Sequence, residues 1–252
     1  MEKLREVRPL KVEDLIKLYE KKREIHGIKA YERITELLNE AKSIHYADWK
    51  KNPTPNNDHE QSWRGFKGKN YEKLILHIIQ EEVETLGLKI VNGNTLERTL
   101  SKNLPIQLNR VKRNLLIDYG EFGSHLPDVD LIIYEPKTCD VLAVLSSKIT
   151  LRERIAQTGY WKIKLADDSH TEHVKVFFIT PDEDGTLSQK TPAKKGRAIV
   201  EIDTDGGYVM SEKTIEESNK VKTFDKFIDD LKELLISFRR HKNRENSLHQ
   251  AR

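Results

Sequence analysis

The apolar positions of this chain change period along its length, and the changes predict its elements. From Lys11 to about Asp48, Leu15, Ile16, Leu18, Tyr19, Ile25, Ile28, Ile34, Leu37 and Leu38 recur at steps of three and four, which predicts two or three amphipathic helices. Lys51-Asn-Pro-Thr-Pro-Asn-Asn-Asp58 then gathers prolines and asparagines as a linker does, so residues 1–58 read as an N-terminal helical lobe and 59–252 as the main core. A helix follows from about Tyr71 to Leu86, stopped by Gly87. On it Glu72 shares the row of Leu76, Ile79 and Val83, and Glu82 follows Ile75, Ile78 and Ile79. Both carboxylates therefore lean toward the apolar stripe and need a cation or donors nearby.

Short strands are predicted at Leu88 to Val91 and Leu115 to Tyr119, around a basic loop with Arg98, Lys102, Arg110, Lys112 and Arg113. Leu126-Pro-Asp-Val-Asp-Leu-Ile-Ile-Tyr134 and the apolar run from Val141 read as a strand hairpin. After it come a helix from Leu151 to about Leu165, a buried strand over Val174 to Thr180, another strand over Arg197 to Asp203, and a closing amphipathic helix over Phe224 to Arg240. The order of these elements predicts an α/β (α+β) fold, a mixed central sheet flanked by helices, with the helical lobe attached.

Composition narrows the setting. The formal charge is only +3, from 44 basic and 41 acidic residues, so charge alone does not announce a polyanion partner. A content of 34% charged and 37% hydrophobic residues fits a globular chain, and its Lys/Glu richness fits a heat-adapted source. The lone Cys139 has no disulfide partner and points to a reducing cytoplasm. No apolar run approaches the roughly 20 residues of a membrane span, and the opening residues do not form a signal peptide.

The chemistry concentrates in the hairpin. Hydrolysis of a phosphodiester needs one or two divalent metals and a cation beside the phosphorus, and Mg2+ takes oxygen ligands, of which one or two protein carboxylates suffice. Asp128 and Asp130 are two apart, which puts them on one side of a strand. If the chain turns near Thr138, Asp130 sits across from Ser146 and Lys148 converges with it at one sheet edge. Taken alone, the pattern reads equally as a strand start with a snorkelling lysine. The following turn adds weight. Thr150-Leu-Arg-Glu153 fits a capping box, and Arg152-Glu153-Arg154 also carries the groups that read guanine O6 and N7 and cytosine N4.

Pro127-Asp128-Val129-Asp130, Ser146-Ser147-Lys148 and Arg152-Glu153-Arg154, with Gly68-Lys-Asn-Tyr-Glu72 upstream, resemble the motifs of the PD-(D/E)XK superfamily, and specifically of type II restriction endonucleases that cut CCGG or CC(N)GG sites. The resemblance spans about Trp63 to Leu165. It implies a restriction-endonuclease-like core and Mg2+-dependent cleavage of double-stranded DNA at a short palindrome. It also implies a homodimer, a separate DNA methyltransferase as companion, and a cytoplasmic location. In this frame Asp128, Asp130 and Glu72 hold the metal, Lys148 activates or orients the water, and Ser147, Arg152, Glu153 and Arg154 contact DNA. The acid of the motif two before the lysine is Ser146 here, and no acid lies between Arg154 and Leu165. Glu72, or alternatively Glu82, is therefore expected to complete the metal site. A structure-specific or repair nuclease and a non-catalytic DNA-binding protein are the competing readings.

Other groups read more plainly. Tyr160 and Trp161 are expected in the core or at a dimer contact. His125 lacks a zinc-type partner and reads as a structural or phosphate neighbour. Lys194, Lys195, Arg197, Arg110, Lys112 and Arg113 read as solvated loops, some of them touching phosphates.

Overall fold

The apolar runs in the middle of the chain meet as one six-stranded sheet in a computed structural model that describes residues 9–51, 53, 58–151 and 154–250, the side chains of 245–250 excepted. Strands β1 (Lys89–Asn92), β4 (Leu131–Tyr134), β5 (Val141–Ser147), β6 (Lys175–Thr180), β7 (Gly206–Val209) and β8 (Val221–Thr223) lie in that spatial order. β4 pairs antiparallel with both β1 and β5; β5 through β8 run parallel. The small ribbon of β2 (Ile117–Asp118) and β3 (Ser124–His125) stands apart. The sheet is mixed and flanked by helices, as the order of elements predicts.

Helices α1 (Val12–His26) and α2 (Ile34–Lys51), joined by a 3-10 segment, pack with α3 (His59–Thr85). Their buried Leu15, Ile34 and Leu37 belong to one apolar cluster with Leu74 and Ile79 of α3, Leu131 and Leu145 of the sheet, and Phe227 and Leu231 of α8 (Phe227–Gln250). The other face of the hairpin, with Ile132 and Val144, meets Val111 and Leu165, the latter on α6 (Arg154–Ala166). Burying an apolar face on each side of β4 and β5 explains why the two strands read as unbroken hydrophobic runs. Among the described residues no helix is long and apolar enough to cross a membrane.

Four expectations change. Helix α3 begins at His59, twelve residues before the predicted start, because the Asp58 carboxylate caps it by accepting from the Gln61 amide at 2.7 Å. The expected basic loop holds two helices, α4 (Gly93–Arg98) and α5 (Ile106–Arg113). Arg197 to Asp203, expected as a strand, is α7 (Lys195–Asp203). Its β-branched residues gave the strand signal, yet Arg197 Nε donates to Glu201 at 2.8 Å across one helical turn, and Arg197 and Val200 share the buried side. The two parallel strands after it, β7 and β8, escaped notice because Gly206-Gly207 and a three-residue run carry little periodicity.

Candidate active site

The hairpin brings the acid and the base together. Leu131 pairs with Leu145, and the Asp130 amide donates to the Leu145 carbonyl at 3.0 Å, so Asp130 is fixed at the mouth of β4 beside the end of β5. The residue is 6% exposed and both carboxylate oxygens are engaged: the Ser147 amide donates to Oδ2 at 2.6 Å, and Lys148 Nζ donates to both oxygens at 2.8 and 2.7 Å. Lys148 itself is tied to β6, its amide donating to the Ile179 carbonyl at 3.2 Å. Gly93 supports this corner from the other side. Its amide donates to the Asp130 carbonyl at 2.8 Å, and a Cβ there would collide with the Val129 carbonyl, so only glycine lets α4 approach so closely.

Glu72 reaches the same place from α3. Burial, and next the negative charge of Asp130, raise its pKa, while Lys148 and a hydrogen bond with Asn92 pull it back. Asn94 Nδ2 donates to Glu72 Oε2 at 3.4 Å. Beneath the pair, Tyr71 is buried, and its hydroxyl is held well above its ordinary pKa by that burial and by Glu183 and Asp130. Glu82 does not join. It is exposed in a separate cavity with Tyr19 and Glu20, and ten residues of helix put it about 15 Å along α3 from Glu72.

Asp128 precedes the strand and is exposed, so the expected shared face is not a strand face. Its Oδ2 accepts from Gln157 Nε2 on α6 at 2.7 Å. Ser146 turns away from Lys148: it is buried, and Thr158 Oγ1 on α6 donates to its hydroxyl at 3.2 Å. Lys148 reaches Asp130 without it, because the lysine follows the last strand residue and is free of the pleat. Ser147 lines the cleft, and its hydroxyl has no hydrogen-bond partner. Arg154 opens α6 and also lines the cleft; Arg152 and Glu153 lie outside the described residues.

The cleft has a volume of about 1700 Å³ and gathers Glu72, Asp128, Asp130, Ser147, Lys148 and Arg154. Cations from distant parts of the chain share its walls, Lys42 and Arg64 from the helical layer and Arg98 from α4. Sequence reasoning named Arg98 only as part of a basic loop and missed Lys42, Arg64, Asn92, Asn94 and Gln157, because no local pattern links them to the hairpin. Among the described residues, no three His, Cys, Asp or Glu side chains are disposed together as a metal cluster. The oxygen donors that converge are the Glu72 and Asp130 carboxylates. An acid whose proton affinity is raised by burial and by a second carboxylate is a site where a hard cation lowers the electrostatic cost, so the donor set fits Mg2+.

His125, Tyr160 and Arg197 do not line this cleft. His125 bonds the Phe122 carbonyl at 3.1 Å, and the Tyr160 hydroxyl lies 3.2 Å from that of Tyr119. Arg197, expected on a solvated loop, is instead fully buried, because its guanidinium donates to the Leu187 and Glu216 carbonyls.

Comparison with known proteins identifies relatives of the chain and of its fold. Residues 107–230 match the family model described as BsaWI restriction endonuclease type 2. The chain is 38% identical over 183 residues to a Methanocaldococcus jannaschii protein named as type II restriction enzyme MjaVIP, covering 71% of this chain and 79% of the relative. It is also 38% identical over 127 residues to a Helicobacter pylori protein named as type II restriction enzyme HpyAORF263P, covering 50% and 64%. Among solved structures, the PspGI–substrate DNA complex aligns over 91% of this chain and 94% of that one with TM-score 0.54 at 13% identity. The AgeI–DNA complex aligns over 86% and 91% with TM-score 0.51, also at 13% identity. By this relationship the chain belongs to the type II restriction endonucleases, the site-specific deoxyribonucleases, alongside the BsaWI family.

Proposed function

We propose that the protein cuts both strands of DNA, with Mg2+, at a short palindromic site centred on CCGG, and that it does so as a homodimer whose two-fold axis matches that of the site. The observation that carries this reading is the meeting of Lys148 with Asp130 beside Glu72 in a cation-lined cleft. Glu72 and Asp130 would hold Mg2+, with Asp128 joining them through the carboxylate that Gln157 now orients. The ion, when bound, would supply charge neutralisation at the phosphate and a more acidic water. Lys148 gives up part of its contact with Asp130 and donates to the water or to a phosphate oxygen, and Ser147 donates its unpartnered hydroxyl to the DNA. Arg154, with Arg152 and Glu153, reads base edges, arginine on guanine and glutamate on cytosine N4. A separate methyltransferase of the same specificity would protect the host chromosome, in the cytoplasm.

Digestion of a long, fully sequenced DNA followed by mapping of the ends tests the site and the cut together. Discrete ends at one CCGG-containing sequence are expected. Lys148→Ala should remove cleavage while leaving duplex binding in place, and a variant that still cuts would overturn the assigned chemistry.

A further inference from the structure

Helix α3 carries a face whose composition the fold does not explain. The row Val83, Ile79 and Leu76 packs against the apolar core; followed toward the N-terminus it becomes Glu72, then Lys69 and Gly68, then Gly65. From Glu72 onward this row lines the cleft. A glycine inside a helix costs stability relative to alanine, and the cost usually returns where something approaches the backbone closely. Nothing in the protein does so here, since a Cβ on Gly65 or Gly68 would meet no atom within 4 Å. The two glycines are bracketed by Arg64 and Lys69, neither of which is held in an ion pair among the described residues, and both cations line the cleft. A second unreturned cost lies in the same cleft: Ser147 is 5% exposed, and its hydroxyl has no partner.

We propose that the Gly65/Gly68 face of α3 is a docking surface for the sugar–phosphate backbone of the duplex. The DNA would take over from the protein core as the packing partner of this row, with Arg64 and Lys69 on the flanking phosphates. At 1.5 Å per residue the two glycines lie about 6 and 10 Å from Glu72 along the helix, which places the contact within about three nucleotides of the bond that is cut. This rests on the reading of the cleft as a DNA-cleaving site and adds how the duplex is seated in it.

The test is duplex binding by fluorescence anisotropy in metal-free buffer, beside thermal unfolding, for Gly65→Ala, Gly68→Ala, Gly65→Leu and Gly68→Leu. Gln80→Leu, on an exposed part of the same helix, serves as the control. The alanine variants should melt about 2–4 °C higher and bind about threefold more weakly, because they repair the helix and obstruct the ligand. The leucine variants should bind at least about tenfold more weakly, and the control should bind as wild type does. Folded leucine variants that bind within twofold of wild type, or that lose no more than Gln80→Leu, would overturn the assignment. If leucine prevents folding, the alanine pair decides: a stabilised variant with unchanged affinity overturns it. A wild-type protein that cuts DNA while the glycine variants bind normally refutes this surface alone, whereas one that neither binds nor cuts any duplex refutes the functional reading beneath it.

Discussion

Replacing Lys148 by methionine keeps the apolar stem and removes the charge, which isolates what the ion pair with Asp130 does. With the ammonium 2.7 Å from Oδ2, gross attraction at an effective dielectric of about 20 is about 6 kcal/mol. Withdrawing both charges from water takes back several kcal/mol of that, so the intact pair contributes little net stability. Orphaning one partner is different, because a buried carboxylate left without its cation costs about 3–5 kcal/mol. Asp130 would keep the Ser147 amide as a donor but would face Glu72 without the lysine that offsets the repulsion. We expect a loss at the lower end, about 3 kcal/mol, read as a Tm lower by about 6–12 °C. Adding Asp130→Asn should recover at least half of the loss, since a neutral side-chain carbonyl still accepts from the Ser147 amide. Neither variant should cut DNA. Thermal and denaturant unfolding of the four proteins of this cycle measure the effect. A Lys148→Met protein within about 1 kcal/mol of wild type, or a double variant no more stable than the single one, would refute the orphaned-charge argument.

Glu72→Gln should raise Tm while abolishing cleavage, because it relieves a half-buried like-charge contact; unchanged or lower stability would show that Asp130 does not act on this residue. Gly93→Ala should cost about 1–3 kcal/mol and reduce cleavage, since the added methyl must displace the backbone that positions Asp130, and wild-type Tm and turnover would refute it. Arg197→Met should destabilise by about 3–5 kcal/mol, leaving Glu201 and the Leu187 and Glu216 carbonyls without their donor, as denaturant unfolding would read. Burial, partly offset by the Leu187 and Thr186 amides, raises the Asp182 carboxyl from 3.8 to about 6. The native state then keeps a proton that the unfolded chain has released, so this group's contribution is full below about pH 4 and is lost as pH rises through about 6. Asp182→Asn should therefore gain on wild type across that window, and parallel stability–pH curves would contradict it.

The hairpin was legible because everything that forms it is local. Val141 to Leu145 and Leu131 to Tyr134 are buried on both faces and so carry uninterrupted apolar runs, and Asp130 and Lys148 stand at their adjacent ends. What stayed hidden depends on contacts between distant segments. Gln157 on Asp128, Asn94 on Glu72 and Gly93 against Val129 join residues 22 to 36 positions apart, and no period encodes such a pairing. The strand expected at Arg197 to Asp203 failed for a related reason: Ile199, Val200 and Ile202 favour a strand by propensity, but the buried arginine and its partner one turn away required a helix. Ser146 shows the limit from the other side. The motif asks for an acid at this position, yet the side chain faces Thr158 of α6 and serves the packing of that helix on the sheet.

Which acid of α3 joins the hairpin was undecidable from the helical wheel, because Glu72 and Glu82 both border the same apolar stripe. Position along the axis decides it. The middle and C-terminal part of α3, with Ile75, Ile79 and Val83, is buried in the core shared with the sheet, while the turns before it line the cleft. Glu72 sits at the crossover, where the sheet ends and β4 begins, so it is half-buried and within the field of Asp130. Glu82, about 15 Å further on, is exposed in the separate cavity beside Tyr19 and Glu20. An acid on the stripe becomes part of the site only where the helix leaves the sheet on the side that holds the start of β4 and the end of β5. The placement of Glu72 is therefore set by its distance along α3 from the buried Ile75, Ile79 and Val83 that anchor the helix on the sheet, rather than by any motif around the glutamate.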